Sequence, residues 1–168
     1  MKKYFGDLSE HGMRGIGTIR PQLFGAFLAL ADQVMSSPSR LTPLQREVLG
    51  AYLSRQFGCD FCHLGHLDTV EAIAGPDARN LVESPTPEYA ALFRFADAVA
   101  ANAVTEGAFD DLMQSGFDES AAQDVVFVAA LFGFANRMVT GFDIHYRADR
   151  DRESSMALAQ GYTFRPGR

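Results

Sequence analysis

The chain has 168 residues, 47% of them apolar, and a formal net charge of −6. That length and composition suit one globular domain with a sizeable core and argue against a disordered chain. The acidic balance argues against nucleic acid as a partner, because no Lys/Arg cluster is present and the most basic stretch, Arg147 to Arg152, is diluted by Asp149 and Asp151.

The opening MKKYFGDLSEHGMRG has lysines but no apolar run behind them, so a signal peptide is not expected. From Pro21, PQLFGAFLALADQVMS sets Leu23, Phe27, Leu30 and Val34 on one helical face, and Pro21 suits the first helical position. After the loop SPSR comes LTPLQREVLGAYLSRQF. Thr42 can cap this helix, Pro43 can open it, and Gln45 completes a Thr-x-x-Gln capping box. Gly58 should break it, and a third helix should run from about Cys59 to Ala74, where Gly75-Pro76 stops it. A short helix is expected over 77–82 and another from Glu88 to about Asn102. Thr105 can cap a further short one ending at Gly116, and Asp118 a long one reaching Tyr146.

The longest apolar run, VVFVAALFGFA at 125–135, leads into Asn136 and Arg137. It is shorter than the roughly 20 residues that span a bilayer, so it is expected to be a buried helix. With no export signal and no span, the expected location is the cytoplasm and no membrane partner is expected. Residues 151–168 are polar and end in GYTFRPGR. They are expected to form a tail that docks Tyr162 and Phe164 on a neighbouring subunit or stays loose. No segment alternates with period two, so the expected fold is all-α, one domain over 1–150 followed by the tail.

The chemistry concentrates in FGCDFCHLGH, residues 57–66, which holds both cysteines and two of the four histidines. In a reducing compartment two cysteines are more often catalytic or metal-binding than a structural bridge. Cys59-x-x-Cys62-His63 fits a haem-attachment pattern formally, but that attachment belongs outside the cytoplasm. Cys59, Cys62, His63 and His66 are a possible zinc set, although one helix turns neighbouring ligands about 100° apart and only three could converge. The third reading is a redox dithiol. Thiols at i and i+3 share a helix face and can close a disulfide without backbone travel. A helix starting at Cys59 lowers thiol pKa there through its free N–H groups and macrodipole. His66 shares that face, and Glu47, 12 residues before Cys59, could reach His66 across a tight bend. Each residue also has an ordinary role open to it: a lone Glu is usually a solvated charge, and two cysteines can be inert core thiols. His63, His11 and His145 are expected to be surface or packing residues.

Glu47, Cys59-x-x-Cys62 and x-x-x-His66, at successive spacings of 12, three and four positions, resemble the core of the AhpD-like alkylhydroperoxidases in the carboxymuconolactone decarboxylase superfamily. The resemblance covers about Leu41 to Ile73. The helix running into Phe134-Ala135-Asn136-Arg137 is similar to the peroxidase-related branch. The resemblance implies an AhpD-like all-helical bundle that forms homo-oligomers, trimers or hexamers, and a thiol peroxidase acting on small organic hydroperoxides or hydrogen peroxide without a cofactor or metal. It implies that Cys62 attacks the peroxide, Cys59 resolves the sulfenic acid, and His66 and Glu47 move the proton. A protein or small-thiol reductant would restore the dithiol. The helix dipole by itself favours Cys59 as the more acidic thiol. Asp60 and Phe61 stand where some members carry a histidine between the cysteines. Two alternatives stay open: a thiol-disulfide oxidoreductase working on a protein partner, and a non-enzymatic redox sensor or metal-binding protein.

Overall fold

The computed structural model describes residues 5–162. Its helices are α1 (Met13–Ile19), α2 (Pro21–Ser36), α3 (Pro43–Gln56), α4 (Asp60–Ala74), α5 (Pro87–Ala100), α6 (Glu106–Gln114), α7 (Glu119–Gly141) and α8 (Ala148–Ala157). Short 3-10 turns occupy Gly6–His11, Pro76–Leu81 and Leu158–Gln160. The fold is all-α and a single domain, with no strand among the described residues.

The helix starts follow local chemistry. Thr42 and Gln45 form the reciprocal capping box at α3: Gln45 N donates to Thr42 Oγ1 at 3.1 Å, and Thr42 N donates to Gln45 Oε1 at 2.7 Å. Thr105 and Asp118 accept from the third residues of α6 and α7. Prolines open α2, α3 and α5, where a missing N–H costs nothing.

Helix α3 is the centre of the bundle. It packs against α2, α4, α5 and α7, and every residue from Gln45 to Ser54 is buried. Val48, Leu49 and Leu53 are fully enclosed, each stabilising the fold by about 1.5–3 kcal/mol. Burying polar groups favours partners, and Gln45 and Arg46 find theirs outside α3, whereas Ser54 Oγ is buried without one among the described residues. The Arg46 guanidinium donates to Val34 O and Ser37 O at the end of α2, at 3.1 and 2.9 Å. Gln45 donates to Glu88 at the start of α5.

Three expectations change. The buried face of α2 is Phe27, Ala31 and Met35, while Leu23 and Leu30 are 64% and 51% exposed. Helix α7 is buried on one face only. Val125, Val128 and Phe132 sit in the core, but Phe127 and Phe134 are exposed; by length and composition the helix would also suit a bilayer. It stops at Gly141 rather than Tyr146, because Asp143 turns the chain at φ +57°.

Helix α8 crosses the 150/151 position where the polar tail was expected to begin, and it packs along α4. The two are joined through Asp68 of α4, whose carboxylate accepts from Arg79 at 2.9 Å, Arg152 at 2.7 Å, and the Tyr146 hydroxyl. Thr69 Oγ1 donates to Ser155 O at 2.8 Å. Tyr162 docks on its own chain, and Phe164 lies outside the described residues.

Candidate active site

The site is built on the α3–α4 hairpin. Gly58 adopts φ +69°, a left-handed conformation that suits glycine, and so ends α3 sharply. The Cys59 N–H then donates to Ser54 O at 2.9 Å, and α4 starts at the next residue, running back along α3.

Cys59 is the N-cap of α4. Its Sγ accepts the Cys62 N–H at 3.4 Å, and both cysteines are free thiols. The Cys62 S–H also donates to Cys59, and these donors hold the Cys59 thiol below its ordinary pKa against the opposing effects of burial and the Asp60 charge. The same hydrogen bond, together with burial, pushes the Cys62 thiol up. Acidity therefore follows the helix dipole, with Cys59 the first thiol to ionise. Neither sulfur is open to solvent: Cys59 is 1% and Cys62 6% exposed, enclosed with Ile16, Val139 and Ile144. The part of this wall contributed by α1 was not legible in the sequence, because α1 is short and lacks a helical apolar period.

One turn after Cys62, His66 meets Glu47 across the hairpin. Its Nδ1 lies 2.7 Å from Glu47 Oε2, so Nδ1–H donates to the carboxylate and Nε2 lies on the other side of the ring. Glu47 is 3% exposed. The imidazole is held from another side by Phe132 of α7, edge-on at 4.6 Å. That approach requires Gly50, since a Cβ there would sit 2.2 Å from the Phe132 ring.

A residue outside the expected set completes the pair. The Tyr162 hydroxyl donates to Glu47 Oε1 at 2.7 Å and lies 3.4 Å from His66 Nδ1. Burial and the Glu47 charge hold this phenol well above its ordinary pKa, so it remains a donor. The sequence signal was only an aromatic in a polar tail, without an indication of its target.

The structure thus joins Glu47 to His66 and Cys59 to Cys62, and sets both pairs on the α3–α4 hairpin. His63 points elsewhere, its Nδ1 lying 2.9 Å from Ala51 O as a tie between the two helices. Among the described residues no three His, Cys, Asp or Glu side chains converge as metal ligands. Asn136 is 1% exposed, one turn after Phe132, and its amide has no partner among the described residues. Arg137 is exposed, donates to Gly133 O, and lies over the Phe57 ring at 5.6 Å.

The sequence matches no family model and no curated protein. Solved structures do match. A peroxidase-related protein from Ralstonia eutropha JMP134, described as an alkylhydroperoxidase AhpD core, aligns with TM-score 0.74 and 23% identity over 89% of this chain and 81% of its own. An uncharacterised peroxidase-related protein from Silicibacter sp. TM1040 aligns with TM-score 0.73 and 20% identity over 82% and 76%. A protein of unknown function from Agrobacterium tumefaciens, provisionally assigned to antioxidant defence as AhpD, aligns with TM-score 0.68 and 25% identity over 79% and 96%. The chain has the AhpD-like fold.

Proposed function

We propose that this AhpD-like bundle is a thiol-dependent peroxidase that reduces small organic hydroperoxides or hydrogen peroxide through Cys59 and Cys62. The observation that carries the reading is the hydrogen bond between the buried Glu47 carboxylate and His66, one helical turn from the adjoining Cys59 and Cys62 thiols. A buried carboxylate that orients an imidazole beside thiols is an arrangement suited to proton transfer, and inert core thiols have no need of one. The peroxidase-related descriptions of the structural neighbours support the same reading.

In the proposed cycle His66 holds the proton released by the first thiol to ionise. The proton on Cys62 passes to Cys59, leaving a Cys62 thiolate. Cys62 Sγ attacks the terminal peroxide oxygen; the S–O bond forms, the O–O bond breaks, and the alkoxide takes the proton from His66 and leaves as alcohol. His66 then takes the Cys59 proton, and the Cys59 thiolate attacks the Cys62 sulfenic acid. The S–S bond forms, and hydroxide leaves as water with the proton from His66. One hydroperoxide and two thiols become one alcohol, one water and a disulfide, which an external thiol reductant returns to the dithiol. A resolving thiol three residues away intercepts the sulfenic acid before further oxidation, because its effective concentration is high.

The reading includes self-association, supported by the apolar side chains of Leu23, Leu30, Phe127 and Phe134, all exposed on α2 and α7. It also includes a reducing, cytoplasmic setting.

The test is a free-thiol titration before and after one equivalent of cumene hydroperoxide. Loss of two thiols per chain within seconds, abolished in Cys62→Ser, is expected. Two thiols intact after minutes would sink the peroxidase reading and turn attention to disulfide exchange with a protein partner.

A further inference from the structure

We propose that Tyr162 is a positioning residue of the proton relay, holding the Glu47 carboxylate so that it can orient His66. The inference rests on the peroxidase reading above and assigns a role to a residue outside the Glu-Cys-Cys-His pattern.

The carboxylate has two oxygens and, inside the bundle, two donors. Oε2 takes His66 Nδ1 and Oε1 takes the Tyr162 hydroxyl, each at 2.7 Å. A buried carboxylate oxygen without a donor is costly and leaves the group free to rotate, so the phenol fixes the plane in which the imidazole is held. The Tyr162 ring also lies nearly parallel to the imidazole, with centroids 6.5 Å apart and 14° between planes. Pinned on one side by Glu47 and on another by Phe132, His66 presents Nε2 in one direction.

The phenol does not reach this position by chance contact of a loose end. Helix α8 is tied to α4 through Arg152, which donates to Asp68 and Glu71 at 2.7 Å each, and through Ser155 O, which accepts from Thr69. The turn Leu158–Gln160 follows directly, and the Tyr162 N–H donates to Ser36 Oγ at the end of α2 at 3.2 Å. A run of specific contacts thus carries the chain from α4 to the relay.

The experiment uses Tyr162→Phe, which keeps the ring and removes the hydroxyl, in the full chain. Two rates are followed against pH: thiol loss to cumene hydroperoxide, and thiol alkylation by iodoacetamide, which needs no peroxide. The expected result is a roughly tenfold slower peroxide reaction at neutral pH and an alkylation midpoint displaced to higher pH, in a protein that still folds but melts lower because Glu47 Oε1 has lost its donor. Tyr162→Ala should show the same displacement with an added loss of stability. An alkylation profile of Tyr162→Phe that superimposes on the wild type overturns the proposal. A wild type inert to peroxide, combined with a displaced alkylation profile in the variant, leaves Tyr162 in its role and overturns only the peroxidase reading.

Discussion

Gly50 of α3 lies against the Phe132 ring of α7, and Gly50→Ala tests whether that contact supports the site. The added Cβ would meet Phe132 Cζ at 2.2 Å, against ordinary carbon separations of about 3.5–4 Å. The ring must therefore move by more than about 1 Å, which belongs in the upper part of the roughly 1–3 kcal/mol range for overpacking. The better helix propensity of alanine returns up to about 1 kcal/mol, so the net cost should be about 2 kcal/mol. For a domain of this size that lowers the melting temperature by about 4–8 °C. A double-mutant cycle with Phe132→Leu isolates the clash. With the smaller side chain in place of the ring, the same alanine should cost less than about 0.5 kcal/mol, a coupling of more than about 1 kcal/mol. Because Phe132 packs edge-on against His66, the folded Gly50→Ala protein should also react more slowly with cumene hydroperoxide. Equal costs in the two backgrounds would refute the packing argument.

The order of thiol acidity has a direct readout. Cys59 sits below its ordinary pKa and Cys62 above it, so as pH rises Cys59 becomes a thiolate first. At neutral pH limiting iodoacetamide should label Cys59 ahead of Cys62 by peptide mass mapping; equal labelling would contradict the assignment. Asp68→Asn removes a buried charge that serves Arg79, Arg152 and Tyr146. It should cost about 1–3 kcal/mol and make α8 cleavable by protease well below the melting temperature, since the arginines are partly exposed and can recruit water. Unchanged proteolysis would show that the network does not hold α8 in place.

What could be read in the sequence was what local chemistry decides. Thr42, Pro43 and Gln45 announce α3, Gly58 announces its end, and the Cys-x-x-Cys-x-x-x-His spacing puts the thiols and His66 on one face of α4. The pairing of Glu47 with His66 followed from a hairpin argument, because residues flanking a tight bend are brought together by the bend itself. What escaped was decided by tertiary contact. Helix α8 has no apolar stripe; its stability comes from Asp68 and Glu71 on another helix, which no local pattern reveals. The exposed Leu23 and Leu30 show the opposite failure, because their periodicity marks a helical face without saying what covers it. Tyr162 was visible only as an aromatic among polar residues, and its partner lies 115 positions away in the chain.

That separation sets an order of assembly. Glu47 and His66 are 19 positions apart and lie on adjoining helices, so their meeting needs only a short excursion of the chain. Tyr162 comes 96 positions after His66. Contacts between near neighbours form before those that must close a long loop. Pairing of α3 with α4 is enough to set Glu47 against His66, whereas the donor to Glu47 Oε1 arrives only when residue 162 closes back on the hairpin. The Glu47–His66 contact is thus local in the chain, and the contact that completes the hydrogen bonding of the Glu47 carboxylate is a long-range one.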